Sequence, residues 1–255
     1  MPIALLTDFG NEDWFAGEMK GAILSTSPQT TIIDLTHSVK PGNIREGACA
    51  LLCSYRSFPP GTVFLCSVSY GNIHQKAIAV HSDSYCFLSP DNGLLSWSLK
   101  QTQNTELREI DTHRFMHPSG CGTFPARDLL APLGGKLHEG MDFSECGTLI
   151  PEYTELPWPK PEISEKSITA EIIYIDRFGN AVTSVSAQEL NSSGHDFGRV
   201  EMNGKTIPLG YHYEEVLQGS PVAYPGSGGL MEIGINGGSA EERYGLEIGG
   251  RVVFF

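Results

Sequence analysis

The first apolar run of the chain ends on an acidic residue, Asp8, in the series Thr7-Asp8-Phe9-Gly10. In an open α/β sheet, ligands bind outside the carboxyl ends of the strands, which places Asp8 to meet one. Its carboxylate can accept hydrogen bonds from two neighbouring hydroxyls, the pattern that a ribose 2′,3′-diol offers. A purely structural role, capping a helix that begins near Asp13, fits the same residue equally well. Asp34-Leu35-Thr36-His37 repeats the theme of an acid at a strand end, and its spacing predicts a local Asp34–His37 contact. Cysteines stand at 49, 53, 66, 86, 121 and 146. Cys49 and Cys53 share a helical spacing, but there is no CxxC and no second pair to complete a zinc site. Buried thiols are expected, in keeping with a reducing compartment. His113 and His117 are also four apart, yet Pro118 and Gly120 predict a loop there and no metal site is expected.

The elements that must position these residues follow from the apolar pattern. Ile3 to Thr7, Thr31 to Leu35, Thr62 to Val68, Lys76 to His81 and Tyr85 to Leu88 read as short strands alternating with helical segments. Ile44, Ala48, Leu51, Leu52 and Tyr55 fall on one helix face. The pattern predicts an α/β N-terminal domain over 1–150 with a mixed, largely parallel sheet. Pro151, Pro157, Pro159 and Pro161 interleave with glutamates, and such a stretch continues neither a helix nor a central strand, so 151–166 is expected to be a linker. Beyond it, Ile168 to Ile175 and Ala181 to Val185 flank a Phe178-Gly179-Asn180 turn, and Arg251 to Phe255 reads as a strand. Residues 167–255 are expected to form an all-β barrel.

The 255 residues carry 17 Lys plus Arg against 30 Asp plus Glu, a net charge of −13. That balance disfavours nucleic acid, whose phosphates require clustered cations. The longest apolar run, Ala48 to Cys53, is far shorter than the ~18 residues of a membrane span. No basic, signal-like segment precedes Asp8, so a cytoplasmic protein is expected.

Motifs in addition to Thr7-Asp8-Phe9-Gly10 are Gly17-x-Met19-Lys20-Gly21, Asp34-Leu35-Thr36-His37, Phe58-Pro59-Pro60-Gly61-Thr62-Val63 and Pro90-Asp91-Asn92-Gly93-Leu94-Leu95. They continue as Thr123-Phe124-x-x-Arg127-Asp128-x-x-Ala131-Pro132, Asp176-Arg177-Phe178-Gly179-Asn180 and Gly226-Ser227-x-Gly229. The series, in this order and over nearly the whole chain, resembles the S-adenosylmethionine hydroxide adenosyltransferase family, which is related to the bacterial fluorinase and chlorinase. The resemblance implies an α/β domain, a β-barrel domain, and a homotrimer binding its ligand between one subunit's first domain and its neighbour's second. It implies that Asp8 holds the ribose diol, that Asp13 and Asp176 face the methionine ammonium, and that Phe178 and Tyr213 stack on adenine. Asn180 would match the adenine N6 and N7 edge, and Ser227 would meet the methionine carboxylate. S-adenosylmethionine is then the substrate, with no separate cofactor.

The chain also departs from the family pattern. Hydrolytic members carry an Asp-Pro-Gly-Val-Gly segment, an Arg shortly after it, and a His before Gly-Arg-Asp. Here Ser69, Tyr70 and Gly71 stand at the first, Gln75 or Lys76 at the second, and Pro125 with Ala126 at the third. Halide-using relatives have Thr-Tyr-Pro at Ser69-Tyr70-Gly71, and in the fluorinase a serine equivalent to Ala126 donates to halide. The positions expected to surround the reacting carbon are therefore Ser69, Tyr70, Lys76 and Ala126. The leading reading is displacement at the ribose C5′ with release of L-methionine, by water, halide or another nucleophile. The alternatives are a nucleoside-binding protein without turnover and an enzyme acting on another adenosine compound.

Overall fold

Alternation along the first strands decides the architecture of the N-terminal unit. In the computed structural model, which describes residues 1–69, 75–82, 84–117, 122–194 and 197–255, β1 (Ile3–Thr7) is buried at every position. Ile3 and Leu5 point into one core with Met19, Ile23, Leu65 and Leu133. Ala4 and Leu6 point into another with Leu51, Phe64, Phe87 and Leu94. A strand covered on both faces has to be apolar throughout, as β1 and β3 (Val63–Ser67) are.

Seven strands form this sheet, β1, β3, β2 (Ile32–Thr36), β4 (Ala77–Ser82), β5 (Tyr85–Pro90), β6 (Glu106–Ile110) and β7 (Gly147–Leu149), in the order β2-β1-β3-β5-β4-β6-β7. The β2, β1, β3 and β5 pairings are parallel, whereas β4, β6 and β7 join antiparallel. Helix α1 (Phe15–Thr26) supplies Met19 and Ile23 to the first core, and α2 (Ile44–Ser54) supplies Leu51 to the second. Asn43 caps α2 by accepting from Glu46 N–H. Two short helices, α3 (Ser96–Leu99) and α4 (Thr112–Phe115), follow, and a π-helical turn at Ala126–Leu130 runs into α5 (Ala131–His138). The α4 turn replaces the loop expected around His113. Asp111 caps it, accepting from the His113 and Arg114 N–H groups.

The β1 strand is a topological switch point, because the chain leaves it for β2 on one side and returns to β3 on the other. After the last helix, Thr154 N–H donates to Asp91 Oδ1, and Leu156 N–H donates to Ser96 Oγ. Asp91 and Ser96 therefore tie down the first proline-rich residues.

The chain divides into two compact units, 1–156 and 157–255. In the second, β9 (Ile168–Ile175) pairs with the short β8 (Glu162–Ile163) and with β10 (Ala181–Ser186). The others are β11 (Arg199–Met202), β12 (Lys205–Pro208), β13 (Pro221–Pro225), β14 (Leu230–Ile235) and β15 (Arg251–Phe254), ordered β12-β11-β15-β9-β10-β14-β13. A bridge from Leu209 to Ala223 joins the two ends and nearly closes an antiparallel barrel. Ile168, Ala170 and Ile172 alternate inward to meet Val200, Ile233 and Phe254. Helices α6 (Ala187–Ser192), opened by a Ser186–Glu189 capping box, and α7 (Ala240–Tyr244) complete the unit. Both the α/β sheet and the barrel agree with the fold class expected from the sequence. Among the described residues no helix is long and apolar enough to cross a membrane.

Leu65 lies at the centre of the sheet with no exposure. Leu65→Ala should destabilise the protein by about 2–5 kcal/mol in urea unfolding. The exposed Leu217 changed to Ala should move stability by no more than about 0.5 kcal/mol.

Candidate functional site

Asp8 follows β1 directly, and Ser69 lies two residues beyond the end of the neighbouring β3. This adjacency lets Ser69 N–H donate to Asp8 Oδ2 at 3.2 Å, and Gly42 N–H donates to the same oxygen at 2.8 Å. Two of the roughly four lone-pair positions of the carboxylate are thus used by backbone, leaving room for a ligand diol. Burial raises the Asp8 carboxyl above its ordinary pKa, against the opposing pull of these N–H groups. Asp8 does not cap α1, whose N-cap is Trp14 and lacks a side-chain hydrogen bond.

A cleft of about 470 Å³ opens beside Asp8, lined also by Trp14, Phe15, Ser69, Phe124 and Arg127. Phe9, Phe15 and Phe124 pack edge to face or tilted, with centroids 5.2–6.2 Å apart. Arg127 lies over the Phe124 ring, and its guanidinium forks onto the buried Asp128 at 2.6 and 3.1 Å while reaching Glu18 at 3.2 Å. A ligand entering this cleft meets aromatic faces and the Asp8 carboxylate, while Glu18 is already paired with the Arg127 guanidinium. The sequence reading missed this aromatic wall. Its signal was the run of Phe9, Trp14 and Phe15 within eight residues of Asp8.

Of the other positions expected in the site, Asp13, Lys76 and Ala126 are not among the residues that line this cleft. Asp13 is exposed in the bend before α1. Lys76 is also exposed, and its ammonium pairs with Glu109 at 2.6 Å across the β4–β6 ladder, which holds it above its ordinary pKa. Ala126 opens the π-helical turn and is buried in the core shared with Met19, Leu65 and Leu133 rather than lining the cleft. Tyr70 lies outside the described residues. Burial raises the Cys66 and Cys86 thiols and pushes Cys146 up to about 12, so these thiols are unreactive at neutral pH.

The barrel carries a second cluster. Asp176 caps its own turn: Oδ1 accepts from Phe178 and Asn180 N–H, each at 2.8 Å, and Oδ2 accepts from Asn180 Nδ2 at 2.9 Å. Three acceptor positions are spent locally, and about one remains for an ammonium or other donor. Gly179 has φ +77°, and a β-carbon there would collide with Ser239, so the turn requires glycine.

Asp176, Phe178, Asn180, Tyr213 and Tyr224 line a pocket of about 570 Å³. Phe178 is 74% exposed and Tyr213 is 50% exposed, so two aromatic faces stand open to a planar ring. Tyr224 hydrogen-bonds its cross-strand partner Glu232, whose carboxyl burial and Asp176 hold above its ordinary pKa. Gly226 crosses over that carboxylate so closely that a β-carbon would collide with it, and Ser227 is exposed on the turn beyond. Tyr224 and Glu232 were also missed from the sequence, since only the β13–β14 register brings them together. Among the described residues, no group of three or more His, Cys, Asp or Glu side chains could hold a metal.

Comparison with known proteins bears on the family and the fold. A (R)-S-adenosyl-L-methionine hydrolase of Thermus thermophilus is 32% identical over 97% of both chains. A fluorinase of Actinopolyspora mzabensis is 25% identical, covering 97% of this chain and 94% of that one. The crystal structure of a conserved protein from Thermotoga maritima superposes with a TM-score of 0.92 at 29% identity over 99% of each chain. Residues 3–147 match the SAM hydroxide adenosyltransferase N-terminal domain and residues 170–253 match its C-terminal domain. Matched over both of its units, the chain belongs to the SAM hydroxide adenosyltransferase family.

Proposed function

We propose that the protein binds S-adenosyl-L-methionine and catalyses displacement at the ribose C5′, releasing L-methionine. The observation that carries this reading is the Asp8 carboxylate, held at the switch point with acceptor capacity to spare, in a chain that matches the family over both units. In this reading Asp8 accepts from the ribose diol, and Asp13 and Asp176 face the methionine ammonium. Phe178 and Tyr213 stack on adenine, Asn180 reads its edge, and Ser227 receives the methionine carboxylate. The nucleophile forms a bond to C5′ as the C5′–S bond breaks, and its electron pair stays on sulfur. Methionine leaves as a neutral thioether, so the leaving group needs no proton. A general base assists only when the nucleophile is water. A homotrimer in the cytoplasm is the assembly and location proposed. Relatives include proteins named as hydrolases and proteins named as fluorinases, and the nucleophile is taken as water, halide or another small anion.

Asp8→Ala should weaken adenosine and S-adenosylmethionine binding by about 1.5–3 kcal/mol in calorimetry, the range for hydrogen bonds to a charged group. The diol needs the ionised carboxylate. Because the Asp8 pKa is raised, affinity is present above that raised value and is lost as pH falls through it, earlier than an ordinary aspartate would lose it. Equal affinity in a folded Asp8→Ala variant would remove the ribose role.

Hydrolysis should be slower by about 10²–10⁴ than in relatives with the Asp-Arg-His set, the span of a positioned general base. Ser69 is a poor proton acceptor, Pro125 has no side-chain donor or acceptor, and Lys76 is engaged with Glu109. Methionine release by the wild type is compared with that of a Ser69→Asp, Pro125→His variant, with and without chloride. Fast chloride-independent turnover by the wild type would contradict the expectation. Sedimentation should give a mass near three times 27.7 kDa, and a monomer that binds the nucleoside tightly would count against the trimer.

A further inference from the structure

A chain of polar contacts runs behind the Asp8 turn without entering the cleft. Thr7 Oγ1 lies 2.6 Å from His37 Nδ1, with Thr7 unexposed and His37 at 2%. Phe9 N–H donates to the same Thr7 oxygen at 3.3 Å. The Thr7 hydroxyl and Nδ1 share a hydrogen bond whose donor follows from the imidazole tautomer, since a hydroxyl that accepts from Phe9 N–H can still donate one bond and accept another. Nε2 lies 3.1 Å from Asp34 Oδ1, off the line of a well-formed hydrogen bond, so this contact is electrostatic. Asp34 Oδ2 accepts from Lys20 Nζ at 2.6 Å. Burial pushes the Asp34 carboxyl up, but Lys20 and His37 outweigh burial and hold it low. The backbone joins in, as Gly10 N–H donates to the His37 carbonyl at 2.7 Å.

The register explains how His37 arrives there. Leu5 pairs with Asp34, but Leu6 pairs with Thr36, so one extra residue of β2 bulges out beside β1. Continuing that shifted register brings His37 opposite Thr7. Without the bulge Thr36 would face Thr7, and the imidazole would fall one position beyond it.

We infer that His37 is a positioning residue for Asp8, gripping the turn on both sides of the carboxylate through the Thr7 hydroxyl and the Gly10 N–H. The inference rests on the assignment of Asp8 to the ribose. The Asp8 carboxylate takes two backbone N–H groups on one oxygen from the cleft side, and those contacts fix its direction only while the turn beneath stays still. A side chain that must meet two hydroxyls at once tolerates little rotation. His37 touches no ligand in this account; it acts through Thr7 and the backbone.

Thr7→Val keeps the shape of residue 7 and removes only the hydroxyl, whereas Thr7→Ser keeps the hydroxyl. The probes are adenosine and 2′,3′-dideoxyadenosine, which differ in the diol alone. Thr7→Val should weaken adenosine by about fivefold, the worth of one hydrogen bond, and leave dideoxyadenosine unchanged. Thr7→Ser should return adenosine affinity to within about twofold of the wild type. In an Asp8→Ala background, Thr7→Val should have no further effect, because the group it positions is gone. Equal weakening of both nucleosides, or of neither, would overturn the positioning role while leaving the nucleoside site intact. Failure of the wild type to bind adenosine would instead overturn the ribose assignment itself, and this role with it.

Discussion

The site depends on one carboxylate held at one place. Asp8 stands at the carboxyl end of β1, which has parallel neighbours on both sides. Its oxygen is shared by N–H groups that follow each of those neighbours, Gly42 after β2 and Ser69 after β3. No local sequence motif can build that convergence. It requires three parallel strands, with β2 shifted by one residue past Leu5, and the two-sided apolar burial of β1 and β3 favours the regular register between those two. Core and site are therefore one construction, and the half-buried charge is retained at a desolvation cost that the backbone N–H groups offset only in part.

The barrel cluster obeys a different economy of hydrogen bonds. Asp176 spends most of its acceptor capacity on its own turn, which makes it a rigid group with little left to give. What the turn presents outward is chiefly the exposed Phe178 ring, with Tyr213 and Tyr224 beside it. The pattern suits a flat, weakly polar ring better than a highly charged ligand. The N-terminal cleft, with its aromatic wall beside the Asp8 carboxylate and the Arg127–Glu18 pair, suits a hydroxyl-bearing sugar. The two clusters thus differ in chemistry in the way that the parts of a sulfonium nucleoside differ.

Much of the fold was legible in the sequence because the strands are short and nearly all apolar. Ile3 to Thr7 and Ile168 to Ile175 are strands over the same residues in the structure. The Asp34–His37 contact was also readable, since it is local. What escaped depends on pairing across distance. The Thr7–His37 contact needs a bulge between β1 and β2. The Lys76–Glu109 pair needs the antiparallel return of β4 against β6, and the Tyr224–Glu232 pair needs the β13–β14 register. The π-helical winding at Ala126–Leu130 is likewise not announced by periodicity at 3.6 residues.

Carbon–sulfur cleavage at C5′ of S-adenosylmethionine is tested by mass-spectrometric identification of both products after incubating the protein with that compound. L-methionine is expected in equal amount with adenosine or a 5′-substituted adenosine carrying the nucleophile. Unchanged S-adenosylmethionine, or cleavage that yields 5′-methylthioadenosine instead of methionine, would contradict it.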